Sequence, residues 1–191
     1  MSPEVVLETD RLILRRLTLD DLDALCELDS DPEVMRFLDN GEATPRETVE
    51  RELRALLETY RRHPGYGRWA AIEKAAGAFL GWFELQPGKG HPDDEPELGY
   101  RLRRAVWGRG YATEGSRALV AKAFTELGAR RVFAETMFVN TGSRRVMEKT
   151  GLRYVRTFHE EWDEPLPGAE HGEVEYAIDK TDWERGRAAA G

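Results

Sequence analysis

A chain of 191 residues with 40% hydrophobic content can bury one sizeable core but hardly two, so one domain is expected. Acidic residues outnumber basic ones by 36 to 28, giving a formal net charge of −8. The arginines lie among acids instead of forming a basic block, which argues against a nucleic-acid partner and fits a cationic or amine-bearing one.

The one cysteine, Cys26, excludes an internal disulfide and fits a reducing compartment. The N-terminal stretch is polar, and the longest nearly apolar run, Ala75 to Phe83, is too short to span a bilayer. The chain therefore reads as cytoplasmic, with no membrane partner. In chain order, Arg11 to Arg16 is strand-like, with Leu12 and Leu14 alternating. Thr18 can cap a helix with an apolar stripe of Leu22, Leu25, Cys26 and Leu28. A second helix follows Pro45 to roughly Tyr60, ended by Pro64 and Gly65. Trp69 to Glu73 and Phe79 to Leu85 form a hairpin, and Gln86 to Pro96 a loop. Glu97 to Leu102 is a short strand, and a helix runs from about Thr113 to Leu127 with Gly128 after it. Val132 to Val139 is a strand, Gly142 to Lys149 a helix, and Leu152 to Phe158 and Glu173 to Ile178 two last strands. The end after Trp183 reads as frayed.

Between the strand ending at Leu102 and the helix starting near Thr113 lies Trp107-Gly108-Arg109-Gly110-Tyr111-Ala112. Glycines there allow successive N–H groups to converge on an anion at the positive end of a helix, so a phosphorylated ligand is expected. An ordinary strand-to-helix turn is the competing reading. In the same way Asn140 and Ser143 are good helix caps, and Glu97 reads equally as a solvated outer-face acid. Other chemistries fit less well. Lys149-Thr150-Gly151 has no upstream Ser-x-x-Lys, and Ser116 lacks the second glycine of a nucleophile elbow. His63, His91, His159 and His171 lack zinc-motif spacing, so no metal is expected. ATP and NAD fingerprints are missing as well.

The order of elements, with these motifs, resembles the GNAT superfamily of acyl-CoA-dependent N-acyltransferases. Trp107 to Ala112 looks like that family's pyrophosphate loop, with Trp107 at a position usually Gln or Arg. Glu8-Thr9-Asp10-Arg11-Leu12-Ile13-Leu14-Arg15, Pro32 to Phe37, Glu97-Leu98-Gly99-Tyr100 and Asn140 to Leu152 are similar to the branch of ribosomal-protein N-terminal acetyltransferases of the RimJ/RimL type. The resemblance covers residues 8–183, one acetyltransferase domain, with 184–191 a flexible tail. It implies an α/β (α+β) fold: a mixed, mostly antiparallel central sheet flanked by helices, with a strand-turn-helix acyl-CoA site.

What the resemblance implies chemically is direct acetyl transfer from acetyl-CoA to a primary amine, with a protein or peptide N-terminus first among acceptors. Small polyamines, amino sugars and antibiotics follow, and a catalytically silent acyl-CoA-binding module is the reading from a different class. Glu97 is the candidate base and Ser143 the candidate acid, with Tyr154 behind it. The N–H of Arg101 or Leu102 is the candidate donor to the reacting carbonyl oxygen. Trp107, Gly108, Arg109, Gly110, Tyr111, Ala112 and Thr113 are candidate pyrophosphate contacts, and Asn140 a contact of the pantetheine arm. Candidate acceptor liners are Met35, Phe37, Trp82, Tyr100, His159 and Trp162, with Trp82 equally a core residue. A homodimer is an option for this branch that composition does not demonstrate.

Overall fold

Alternating apolar residues build most of the strands where the sequence places them, and the eight strands join into one sheet. The computed structural model describes residues 3–38, 41–63, 65–88, 90–161 and 164–190. The strands are β1 (Val5–Glu8), β2 (Leu12–Arg16), β3 (Gly67–Glu73), β4 (Phe79–Pro87), β5 (Pro96–Leu102), β6 (Arg131–Met137), β7 (Arg153–Phe158) and β8 (Glu173–Asp179). Their spatial order is β1-β2-β3-β4-β5-β6-β8-β7. Every neighbouring pair is antiparallel except β5 and β6, which run parallel.

That junction positions the site. β5 and β6 pair in register only at Glu97 and Phe133. Beyond it β5 continues to Leu102 and β6 to Met137 without pairing, so the two strands splay and leave a wedge in the middle of the sheet.

Helices cover both faces. On one face α4 (Tyr111–Thr125) and α5 (Thr141–Thr150) pack Leu119, Val120, Phe124 and Met147 onto Phe83, Leu98, Leu102, Val132 and Tyr176. On the other, α1 (Leu22–Leu28), α2 (Pro32–Met35) and α3 (Arg46–Arg62) supply Leu25, Leu28, Val34, Val49 and Leu53 to a second cluster with Ala70 and Trp82. Past β4, this second face carries acids instead: Glu97 on β5, Glu135 on β6, and Glu173 and Glu175 on β8.

Three elements differ from expectation. β1 pairs outside β2. α2 forms because Asp31 accepts a hydrogen bond from the Glu33 N–H at 2.9 Å and Pro32 occupies the first turn. The end of the chain, expected as a flexible tail, is α6 (Lys180–Ala190), whose Trp183 ring lies 5.3 Å from that of Phe124. Burial of one aromatic face is what the polar, alanine-rich pattern concealed.

A bulge in β4 sets which residues face which side. Ala71 pairs with Gly81 but Ile72 with Phe79, so Leu80 is inserted. Gly81 has φ +137°, and a β-carbon there would collide with the Arg101 carbonyl oxygen of β5. Gly81→Ala is expected to cost about 2–4 kcal/mol and to lower the midpoint of thermal unfolding by roughly 5–15 °C. An unchanged midpoint would show that the two strands are not locked there.

Candidate active site

The glycine turn opens with a single 3₁₀ turn, Arg104–Val106, after which Gly108 and Gly110 both take left-handed φ, +72° and +84°. α4 starts directly after Gly110, two residues earlier than the sequence suggests, because Tyr111 is drawn into the core. Among the described residues, none of the N–H groups from Gly108 to Thr113 donates to a protein acceptor; the first helical bond is Glu114 N–H to Gly110 oxygen, 3.0 Å. Six free donors at a helix N-terminus, with open space over Gly108, form a cradle for an anion with several oxygens. A diphosphate fits that donor set.

The Thr9-Asp10-Arg11 stretch, far from the glycine turn in sequence, reaches it in the structure. Arg11 donates from Nη1 to the Arg109 carbonyl oxygen at 2.9 Å and from Nε to Glu114 Oε2 at 2.6 Å. Thr9 Oγ1 donates to Glu114 Oε1 at 2.6 Å, and the Arg11 guanidinium lies 4.2 Å from the centre of the Tyr111 ring. Burial pushes the Glu114 carboxyl up, but the hydrogen bonds from Thr9 and Arg11 outweigh it and hold it below the usual range. The two ends of the segment thus share one clamp.

Trp107, 47% exposed, donates its indole N–H to the Leu102 carbonyl oxygen at 2.8 Å, tying the turn to the end of β5. The Arg103 N–H crosses to Leu80 oxygen on β4 at 2.8 Å. Backbone groups alternate along a strand, so the Leu102 N–H points the other way, into the wedge, while that of Arg101 faces β4. Arg101 instead uses its side chain, with Nη1 2.6 Å from Asp29 Oδ1.

Across the wedge, Asn140 caps α5. Its Oδ1 accepts from Ser143 N–H at 3.2 Å and its Nδ2 donates to Thr136 Oγ1 at 3.0 Å. Ser143 Oγ lies 2.9 Å from the Tyr100 hydroxyl, which also reaches the Ser143 carbonyl oxygen at 3.1 Å. Burial pushes the Tyr100 hydroxyl up to about 12, against a smaller opposing effect of the Ser143 hydrogen bond. Tyr100, expected as an acceptor liner, therefore stands on the α4 and α5 side with Ser143, opposite Glu97. Tyr154, exposed on β7, pairs its hydroxyl with Thr157 instead.

Two other expected liners are buried. Met35 is 1% exposed, its carbonyl oxygen accepting from Leu38 and Gly41, and Trp82 is 5% exposed, with the guanidinium groups of Arg68 and Arg101 4.0 and 5.1 Å from its ring centre. The bulge at Leu80 turns Trp82 into the second core cluster. Trp162 lies outside the described residues. His159 is exposed, with Nε2 3.3 Å from the Glu170 carbonyl oxygen. Phe37 faces a cavity of about 210 Å³ over the β6–β8 part of the acidic face.

Glu97 looks onto that same face, one strand from Glu135. Burial, then the nearby Glu135 and Glu84 carboxylates, push it up to about 7. Glu84 is held by Arg68 at 2.9 Å and Gln86 at 2.8 Å, whereas Glu97 has no described hydrogen-bond partner. A carboxyl that ionises near neutrality suits proton abstraction. His91, Glu135 and Glu175 also bring ligand atoms within 4.8 Å of one another. Both Glu175 oxygens, however, bind arginine, Arg131 at 2.9 Å and Arg156 at 2.6 Å, which is an ion-pair network. No described helix is long and apolar enough to cross a membrane.

Comparison with known proteins identifies the family and the fold. Residues 11–153 match the family model for the acetyltransferase (GNAT) domain. The chain is 38% identical to FsC-acetyl coenzyme A-N(2)-transacetylase of Aspergillus fumigatus over 97% of its own length and 80% of that protein's. A GNAT acetyltransferase from Bacillus anthracis superposes with a TM-score of 0.73 at 24% identity, over 91% of this chain and 98% of the other. RimL, the ribosomal L7/L12 α-N-protein acetyltransferase, solved in complex with coenzyme A, gives 0.76 at 18% identity, over 92% and 98%. On the family model and the Aspergillus relative, the chain belongs to the GNAT family and is an acetyl-CoA-dependent N-acetyltransferase.

Proposed function

We propose that the acceptor is a small-molecule primary amine and that Glu97 is the base that makes it reactive. The observation that carries this is the Glu97 carboxyl, raised to about 7 on an acidic face that has its own cavity. An amine arrives mostly as ammonium, so it is attracted by these carboxylates and must lose a proton before attack. The Aspergillus relative, named for transfer to an N(2) nitrogen, supports a small acceptor over a protein N-terminus.

Acetyl-CoA supplies the thioester carbonyl that the amine attacks, and coenzyme A leaves as the thiol. The cradle from Gly108 to Thr113 holds the diphosphate, with Arg109 at its rim. The Leu102 N–H is aimed into the wedge, where it meets negative charge developing on the carbonyl oxygen. Ser143, its hydroxyl fixed by Tyr100, returns a proton to the sulfur. Asn140 acts through the cap that orients Ser143.

Thiol release from acetyl-CoA, measured across small amines and peptides with free N-termini, tests the reading. Amine-dependent release with small amines well ahead of peptides is expected. Release with peptides alone would return the acceptor to a protein N-terminus. Acetyl-CoA binding without release from any acceptor would mark a silent binding module.

A further inference from the structure

The cavity on the acidic face is lined by both apolar side chains and carboxylates. Phe37, Met137, Phe158 and Leu166 line its sides. Glu135, Glu160 and Glu173 line it too, and these are its charged groups. Glu173 is the unusual member. It is only 9% exposed, yet it makes no described hydrogen bond or ion pair and faces the cavity. Burying a carboxylate without a partner is costly, and here two further carboxylates lie beside it. Arg156 serves other carboxylates, its Nε on Glu175 and its Nη2 4.0 Å from Glu135, and makes no described ion pair with Glu173. A site with this charge deficit is complementary to a cation.

We propose that the acceptor carries a second cationic group, joined to the reacting amine by an alkyl chain, and that Glu173, with Glu160 beside it, binds it in this cavity, Glu135 lying between that group and Glu97. This rests on the proposed amine acceptor and on Glu97 marking the reacting end. The apolar side chains accommodate methylene groups, and the carboxylates replace the water that an ammonium or guanidinium gives up on entering. Register sets the length. Glu173 pairs with Met137, four residues along β6 from Phe133, the partner of Glu97. Two strand spacings and four residue rises put the two Cα atoms about 16 Å apart. Allowing for a hydrogen bond at each end, the two nitrogens stand roughly 10 Å apart, the span of a chain of about six to eight carbons.

The test uses α,ω-diaminoalkanes from about three to eight carbons against monoamines of equal length, with kcat/KM from thiol release. The longer diamines are expected to exceed both the matched monoamines and the shorter diamines. Glu173→Gln is expected to lower kcat/KM for long diamines about 10–30-fold, mainly through KM, and to leave monoamines within about twofold. Glu160→Gln, at an exposed position, should move in the same direction by less, and serves if Glu173→Gln does not fold. Calorimetric titration of the cofactor-free protein with the eight-carbon diamine gives a readout independent of turnover, and binding should weaken in Glu173→Gln. Equal losses for monoamines and diamines, or no preference for diamines in the unmodified protein, would overturn the proposal while leaving the amine acceptor standing. No release from any amine, together with no diamine binding, would overturn both.

Discussion

Glu97→Gln is expected to lower kcat/KM about a hundredfold to a thousandfold while the protein becomes more stable at pH 8. The two effects share one cause. Burial beside Glu135 and Glu84 raises the folded-state pKa from the ordinary 4.5 to about 7. The amine needs a base that is ionised at working pH and still strong enough to take its proton, and a group near neutrality satisfies both conditions. Accordingly kcat/KM of the unmodified enzyme should climb through pH 6 to 7 and level off above, and that limb should vanish in Glu97→Gln.

Stability follows the opposite course. Below about pH 4.5 the carboxyl is neutral in both folded and unfolded chains, and it contributes its full share. As pH rises, the unfolded chain ionises first, so stability falls until the folded group also ionises near pH 7 and the loss is complete. Glutamine never ionises. The variant should therefore match the unmodified protein near pH 4 and exceed it by about 2–3 kcal/mol at pH 8, read by denaturant unfolding at the two values. A variant both inactive and less stable at pH 8 would mean that Glu97 is structural and that the acidic face is not under electrostatic strain.

Much of this site is legible in the chain because it is local. Gly108 and Gly110 announce a backbone that only glycine adopts easily, and the helix after them follows within a residue or two. The Glu97 strand is equally local. The placing of Tyr100 is local too, since an odd separation from Glu97 puts it on the opposite face of β5. Trp82 is different. Its facing depends on the inserted Leu80, which no periodicity reveals. Glu173 alternates with Val174 as an ordinary solvent-facing acid would, and only the sheet order brings it into a covered cavity beside Glu135. Long-range pairing, which the sequence does not encode as a period, decides such cases.

Arg11 is the largest instance. It is 103 residues from Glu114, and nothing in either neighbourhood announces the pair. Arg11→Ala is expected to raise KM for acetyl-CoA roughly 10–50-fold with kcat changed less than about threefold. In a trans peptide the carbonyl and the next N–H point in opposite directions. Holding the Arg109 oxygen on one side therefore aims the Gly110 N–H to the other. Removing Arg11 frees that peptide and also strips Glu114 of its counter-ion, leaving a negative charge beside the seat of a diphosphate. The second effect is separable. Glu114→Gln in the Arg11→Ala background should recover part of the lost affinity, while the single Glu114→Gln change, which leaves Arg11 untethered, should weaken binding. The resulting cycle should show a coupling of about 1–2 kcal/mol. Acetyl-CoA dissociation constants from titration calorimetry supply the four corners. Additive corners, or a loss confined to kcat, would mean that the clamp holds β1 and β2 to α4 without shaping the cradle.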